Sequence, residues 1–169
     1  MSLTMHSASV PIYLTMLGNL SKWLDKAVAH AEVKKFDVNT LLTARLAPDM
    51  LSLAKQVQIA CDSAKFGVAR LAGGDAPKFD DTESSIAELQ QRIAATVAYI
   101  KGVPAAQVDG TEAKPISVPV RGRDPLQFTG EQYLKHFALP NFFFHVTTAY
   151  ALLRHNGVEL GKADFLRGG

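Results

Sequence analysis

Apolar residues return along this chain at alternating spacings of three and four in four separate stretches. That is the period of a helix with one buried face. The first stretch, residues 8 to 34, carries Val10, Tyr13, Leu17, Leu20, Leu24, Ala27 and Ala31 on one stripe, widened by Met16 and Trp23. Ser9 stands at the cap position, and Pro11 falls in a first turn, where its missing N–H has no partner to lose. The second stretch is expected to begin at Pro48, with Asp49 placed where the helix dipole favours an anion. Its stripe runs Met50, Leu53, Ala54, Val57, Ala60, Cys61, Ala64, Val68 and Leu71, and Gly73-Gly74 stops it. The third is expected to be capped by Thr82, with Glu83 in its first turn. Ile86, Leu89, Ile93, Val97 and Ile100 form its stripe before Gly102 and Pro104. The fourth opens at Thr129, with Gln132 in a capping-box position. It continues through Phe142, Val146, Ala149, Leu152 and Leu153 to Gly157. Pro140 predicts a kink or break just before Asn141.

The intervening segments read differently. Phe36 to Ala47 is a connector in which Asp37 or Asn39 can cap a short turn through Leu41 and Leu42. Residues 104 to 128 gather prolines, and ISVPV and PLQF flank RGRD, which predicts a short β-hairpin or extended loop. Pro119 inside it points to an edge or a bulge. The tail VELGKADFLRGG is expected to fold back, because Leu160, Phe165 and Leu166 need cover. The sum is an all-α chain, residues 1–169 as one domain, built as a four-helix bundle with a small extended insertion before the last helix.

Composition changes this picture little. The chain is 47% apolar and 20% charged, with a formal charge of +2. The cations are spread out rather than blocked, which argues against a nucleic-acid partner. The single cysteine, Cys61, excludes an internal disulfide and lies in an apolar stripe, the place of a small core residue. No apolar run approaches the roughly 20 residues that span a bilayer. The N-terminus lacks the basic region of a signal peptide, so the expected location is the cytoplasm.

Few residues suggest chemistry. Ile59 and Phe66 lie outside the second stripe, and either a loop or chain end covers them or a second copy does. Asp62 and Lys65 on the same side are expected to form a solvated ion pair. His30 and His136 read as solvent-facing, His155 as a helix-end residue, and His6 as part of a frayed terminus. In NFFFH, Asn141 and His145 stand one helical turn apart on one face. Either His145 is a core histidine satisfied by backbone or by Asn141, or the pair forms a pocket wall.

The closing stretch LPNFFFHVTTAYALLRHNGVELGKADFL, with APDMLSLAKQV and DTESSIAELQQRI, resembles the bacterial family of unknown function numbered 1993. The resemblance covers essentially the whole chain. Families of this type resemble the DinB/YfiT-like four-helix bundles, many of them metalloenzymes or thiol-dependent transferases. It implies a bundle with one longer connection, and a homodimer. In those relatives three histidines hold a divalent metal: one from the second helix, before Leu or Ile, and two from a His-x-x-x-His on the fourth. Matched to that pattern through Gly157, His145 falls on the second histidine of the pair and Asn141 on the first. Gln56-Val57 falls where the second helix has its His. Two imidazoles would thus be amides, which are weak ligands for zinc or nickel.

The expectation is a degenerate metal site with no cofactor, at which Gln56, Asn141 and His145 bind a small polar ligand. Two alternatives stand beside it. One is a metal-dependent hydrolase or transferase in which His145 is joined by His6 or Asp49. The other is a dimeric structural protein working through Ile59 and Phe66.

Overall fold

The structure, a computed structural model, describes residues 3–167. Four long helices form the frame: α1 (Val10–Lys34), α2 (Leu53–Ala72), α3 (Ile86–Gly102) and α6 (Leu139–His155). Shorter elements link them: a 3-10 turn (Val38–Thr43), α4 (Ala105–Val108), a hairpin of β1 (Pro115–Val120) and β2 (Arg123–Thr129), α5 (Gly130–Tyr133), and a terminal α7 (Lys162–Arg167). Among the described residues no helix is long and apolar enough to cross a membrane.

Caps and packing fix the helix directions. The Leu53 N–H donates to the Ala44 carbonyl, and the Ile86 N–H donates to Asn39 Oδ1. Both α2 and α3 therefore start at the 3-10 turn, beside the end of α1, and run parallel to each other. Tyr13 packs edge-on against Phe142 and Trp23 against Tyr150, so α1 and α6 run the same way. The pairs Gln56–His145 and Ser63–Asn141 make α2 and α6 antiparallel, and Arg70–Tyr133 continues the seam into α5. The bundle is up-down-down-up, and the loop after α2 runs back along the bundle to start α3.

Helix boundaries depart from the sequence reading at two places. Residues 48–52 form a turn, and α2 begins at Leu53, so Asp49 lies outside the first helical turn. The third helix starts at Ile86 rather than after Thr82. Ser85 and Glu88 form a reciprocal capping box there, satisfying two free N–H groups at once. Glu83 is drawn away from the helix toward Arg92. The turn at Leu41 and Leu42 forms as expected, capped by Asp37.

The extended insertion is an antiparallel hairpin with an irregularity between Val118 and Val120, the position of Pro119. Ile116 and Val118 are buried. The hairpin leads into α5 through a Thr129–Gln132 capping box. Gly130 is required at this junction: a Cβ there would lie 2.0 Å from the Thr111 carbonyl oxygen. The chain then passes through a π-helical turn, Leu134–Ala138, in which the Leu139 N–H reaches back to the Leu134 carbonyl. This wide turn sits immediately before Pro140, which has no N–H to continue an α-helical ladder. The expected kink takes this form. The tail does fold back: Phe165 stacks on Trp23 and Leu160 is buried, while Leu166 stays exposed.

Candidate functional site

Two side-chain pairs link α2 to α6, and both involve residues singled out in the sequence. Gln56 comes from the first turn of α2 and His145 from the middle of α6. His145 Nδ1 lies 2.7 Å from Gln56 Oε1. The Gln56 amide nitrogen donates to the Leu51 carbonyl at 3.3 Å, which turns the amide oxygen toward His145. An amide oxygen only accepts, so His145 carries its proton on Nδ1 and its lone pair on Nε2. The imidazole is 8% exposed, and burial lowers its pKa below the ordinary value. It is therefore a neutral base with an oriented ring.

Asn141 lies one turn before His145 but turns elsewhere. Its amide nitrogen donates to Ser63 Oγ at 2.8 Å. The structure thus joins Gln56 to His145 and Asn141 to Ser63. Ser63 was not singled out from sequence. Its signal was available, since it stands two turns after Gln56 on α2 and so on the same face. Asn141 and Ser63 border a cavity of about 160 Å3, together with Ile59, Phe66, Tyr133 and Phe137. The Tyr133 hydroxyl accepts from Arg70 and donates to the Phe66 carbonyl. Phe128, Tyr133 and Phe137 form an aromatic cluster at one end.

The other sequence candidates do not join this site. The His6 backbone N–H is tied to Asp109, in the connector whose Lys114 reaches the Leu71 carbonyl, at the far end of α2 from Gln56. Asp49 is exposed in the turn before α2. His136 and His155 are exposed, whereas His30 is half-buried against Phe36 and Gly157. Cys61 is fully buried, and burial pushes its thiol up to about 12, so it stays protonated.

One expectation is overturned. Lys65 is not solvated: it is 1% exposed, paired to Asp62 at 3.0 Å, with its ammonium 4.2 Å from the Phe79 ring centre. The covering group is Phe79 from the α2–α3 loop, a tertiary contact that helix spacing does not display.

A divalent metal here would need imidazole, thiolate or carboxylate donors. His145 Nε2 supplies one. The Gln56 oxygen is engaged by Nδ1, and the Asn141 nitrogen by Ser63. Among the described residues no group of three or more His, Cys, Asp or Glu side chains is placed to hold a metal ion. The residues present do not fit zinc or nickel.

Comparison with known proteins agrees with the architecture. A family described as a domain of unknown function, DUF1993, matches residues 5–166. The fold is similar to the crystal structure of a DinB family member protein from Shewanella denitrificans, 46% identical, with a TM-score of 0.86 over 95% of this chain and 90% of that one. No curated protein matches. The chain belongs to the DUF1993 family and has a DinB-like four-helix fold with a hairpin before its final helices.

Proposed function

We propose that this DUF1993 protein binds a small polar molecule in the groove between α2 and α6, at a position where metal-binding imidazoles have given way to amides. The observation that carries this reading is the Asn141–Ser63 pair on the wall of the cavity of about 160 Å3. The wall combines apolar faces from Ile59, Phe66 and Phe137 with oriented polar and charged groups, Asp62 and Arg70 among them, the usual make-up of a small-molecule site. One turn along, Gln56 orients His145, whose burial favours the neutral ring, with Nε2 left as an acceptor. Such a constellation suits a small polar ligand with its own hydroxyl or N–H donors.

Thermal-shift measurements with a panel of small amides, polyols and carboxylic acids test this. At least one should stabilise the wild type and not Asn141→Leu. A panel that shifts neither protein, or both equally, rejects the groove as the site. Metal analysis after dialysis checks the donor argument. Stoichiometric zinc or nickel lost in His145→Ala would restore the metal-dependent hydrolase or transferase reading.

A second reading, homodimer formation, is favoured by one observation. Leu51 (43% exposed) just before α2, Phe66 (36%) on α2 and Phe144 (59%) on α6 leave apolar surface beside the same groove. A second copy seated there would cover Phe66 and close the cavity it borders. Light scattering of Phe66→Glu tests this, and a mass unchanged from wild type counts against it.

A further inference from the structure

Asp62, which also borders the α2–α6 cavity, belongs to a second cluster that joins α2, α3 and the loop between them. Arg92 of α3 and Lys65 of α2 have side chains only 2% exposed. Asp62 accepts from both, at 3.0 Å each. The remaining partners come from the loop. Arg92 Nη1 donates to the Asp80 carbonyl at 3.2 Å and to Glu83 at 2.9 Å, and lies 3.1 Å from Asp81. The Phe79 ring sits over both cations, 4.2 Å from the Lys65 nitrogen and 5.3 Å from the Arg92 guanidinium carbon. Residues 73–85 have no regular structure of their own, and long irregular loops in compact domains are commonly lids or binding loops.

Three features show that this contact is separable. The cations are fixed on helices and buried, while Asp81 is 45% exposed on its loop, so solvent screens that bond. The loop satisfies Arg92 incompletely: Nε has no partner, and neither does Oε1 of the adjacent, buried Gln58. Unpartnered buried polar atoms are rare and costly. Beside them lies a cavity of about 380 Å3 bordered by Phe79, Thr82, Glu83, Gln91, Arg92 and Ala95.

The loop also describes what would replace it. It brings an aromatic ring to Lys65 and carboxylates to Arg92. Once it lifts, Asp62 alone faces two cations, which leaves one positive charge in excess, the charge of one carboxylate. A planar carboxylate would take the Nη1 donors that the loop's carbonyl and carboxylates release, while Nη2 stays with Asp62. We propose that the α2–α3 loop is a displaceable strap over a binding site for a small aromatic monocarboxylate, with Arg92 anchoring the carboxylate and Lys65 facing the ring. The strap is the site's own occupant in the closed form, so ligand and loop compete.

The test is an NMR titration of isotope-labelled protein with phenylacetate, with acetate and 2-phenylethanol as probes lacking the ring or the charge. Saturable shifts are expected in amides 78–83 and in the Arg92 Nε–H, with neither control reproducing them. Phe79→Ala and Glu83→Gln both weaken the strap and should each tighten phenylacetate binding by about fivefold, since less of the protein is held closed. Either variant suffices if the other fails to fold. Absence of saturable shifts up to about 20 mM in wild type and variants overturns the proposal. So does an equal response to 2-phenylethanol, or binding no tighter in the weakened-strap variants. Shifts confined to Asn141 and His145 would place the ligand in the α2–α6 groove and reject this site while leaving that one standing.

Discussion

Gln56 and His145 face each other across the α2–α6 seam with 2.7 Å between the amide oxygen and Nδ1, although they stand 89 residues apart in the chain. Gln56→Leu leaves the His145 Nδ1 proton without an acceptor in a nearly closed site. The expected loss is about 1–3 kcal/mol in chemical denaturation. Gln56→Glu puts a carboxylate on Nδ1 and should raise the His145 pKa above its wild-type value, read from imidazole resonances across a pH titration.

Stability should depend on pH through the same ring. Burial lowers the folded pKa of His145 below the ordinary 6.5. The unfolded chain then binds more protons than the native one as the solution is acidified. The contribution is full above the unfolded value and declines as pH falls from there toward the folded value. The urea midpoint should drop between about pH 7 and pH 5, and the drop should be smaller in His145→Asn, which keeps a donor toward Gln56 but does not titrate. Equal slopes in the two proteins would show that other groups set the dependence.

The Arg92 cluster predicts a graded pair of losses. Arg92→Met removes the common partner of Asp62 and Glu83 and should cost about 2–4 kcal/mol, moderated because the carboxylates reach water. Glu83→Gln keeps a hydrogen-bonding oxygen and should cost about 1 kcal/mol or less. Thermal denaturation of the two variants settles the order. An Arg92→Met protein as stable as wild type would mean that burying the ions confers nothing.

Tyr13 and Gly67 form a testable close contact between α1 and α2. A Cβ on Gly67 would lie 2.5 Å from the Tyr13 hydroxyl, which is buried and has no hydrogen-bond partner. Tyr13→Phe removes that hydroxyl and should be neutral or stabilising by up to about 1 kcal/mol. Gly67→Ala should destabilise by about 1–3 kcal/mol in wild type. In the Tyr13→Phe background the penalty should shrink by about 0.5 kcal/mol or more, as a double-mutant cycle measures.

Much of the frame was legible because helix stripes are local. The stripe in 53–71 and the Thr129–Gln132 capping box depend only on spacing. Boundaries failed where two local signals competed. Pro48–Asp49 imitated a helix start that the chain delays to Leu53, and Thr82 imitated a cap that Ser85 and Glu88 form together. The site was half legible. The positions of Gln56 and His145 followed from resemblance and helix period, but the rotation that sends Asn141 to Ser63 is set by packing across α2 and α6. The burial of Lys65 was illegible for the same reason, since its cover comes from a loop whose path no periodicity encodes.

The seam between α2 and α6 joins residues as much as 89 positions apart in the chain. Helical bundles with short-range partners assemble quickly because each contact closes a small loop. Here the apolar flank of α2 waits for a helix made long after it, so a nascent chain emerging from the ribosome carries that flank uncovered until α6 has been made. Docking of α6 thus closes the bundle, and truncations within α6 leave the molecule without its central seam rather than trimming its edge.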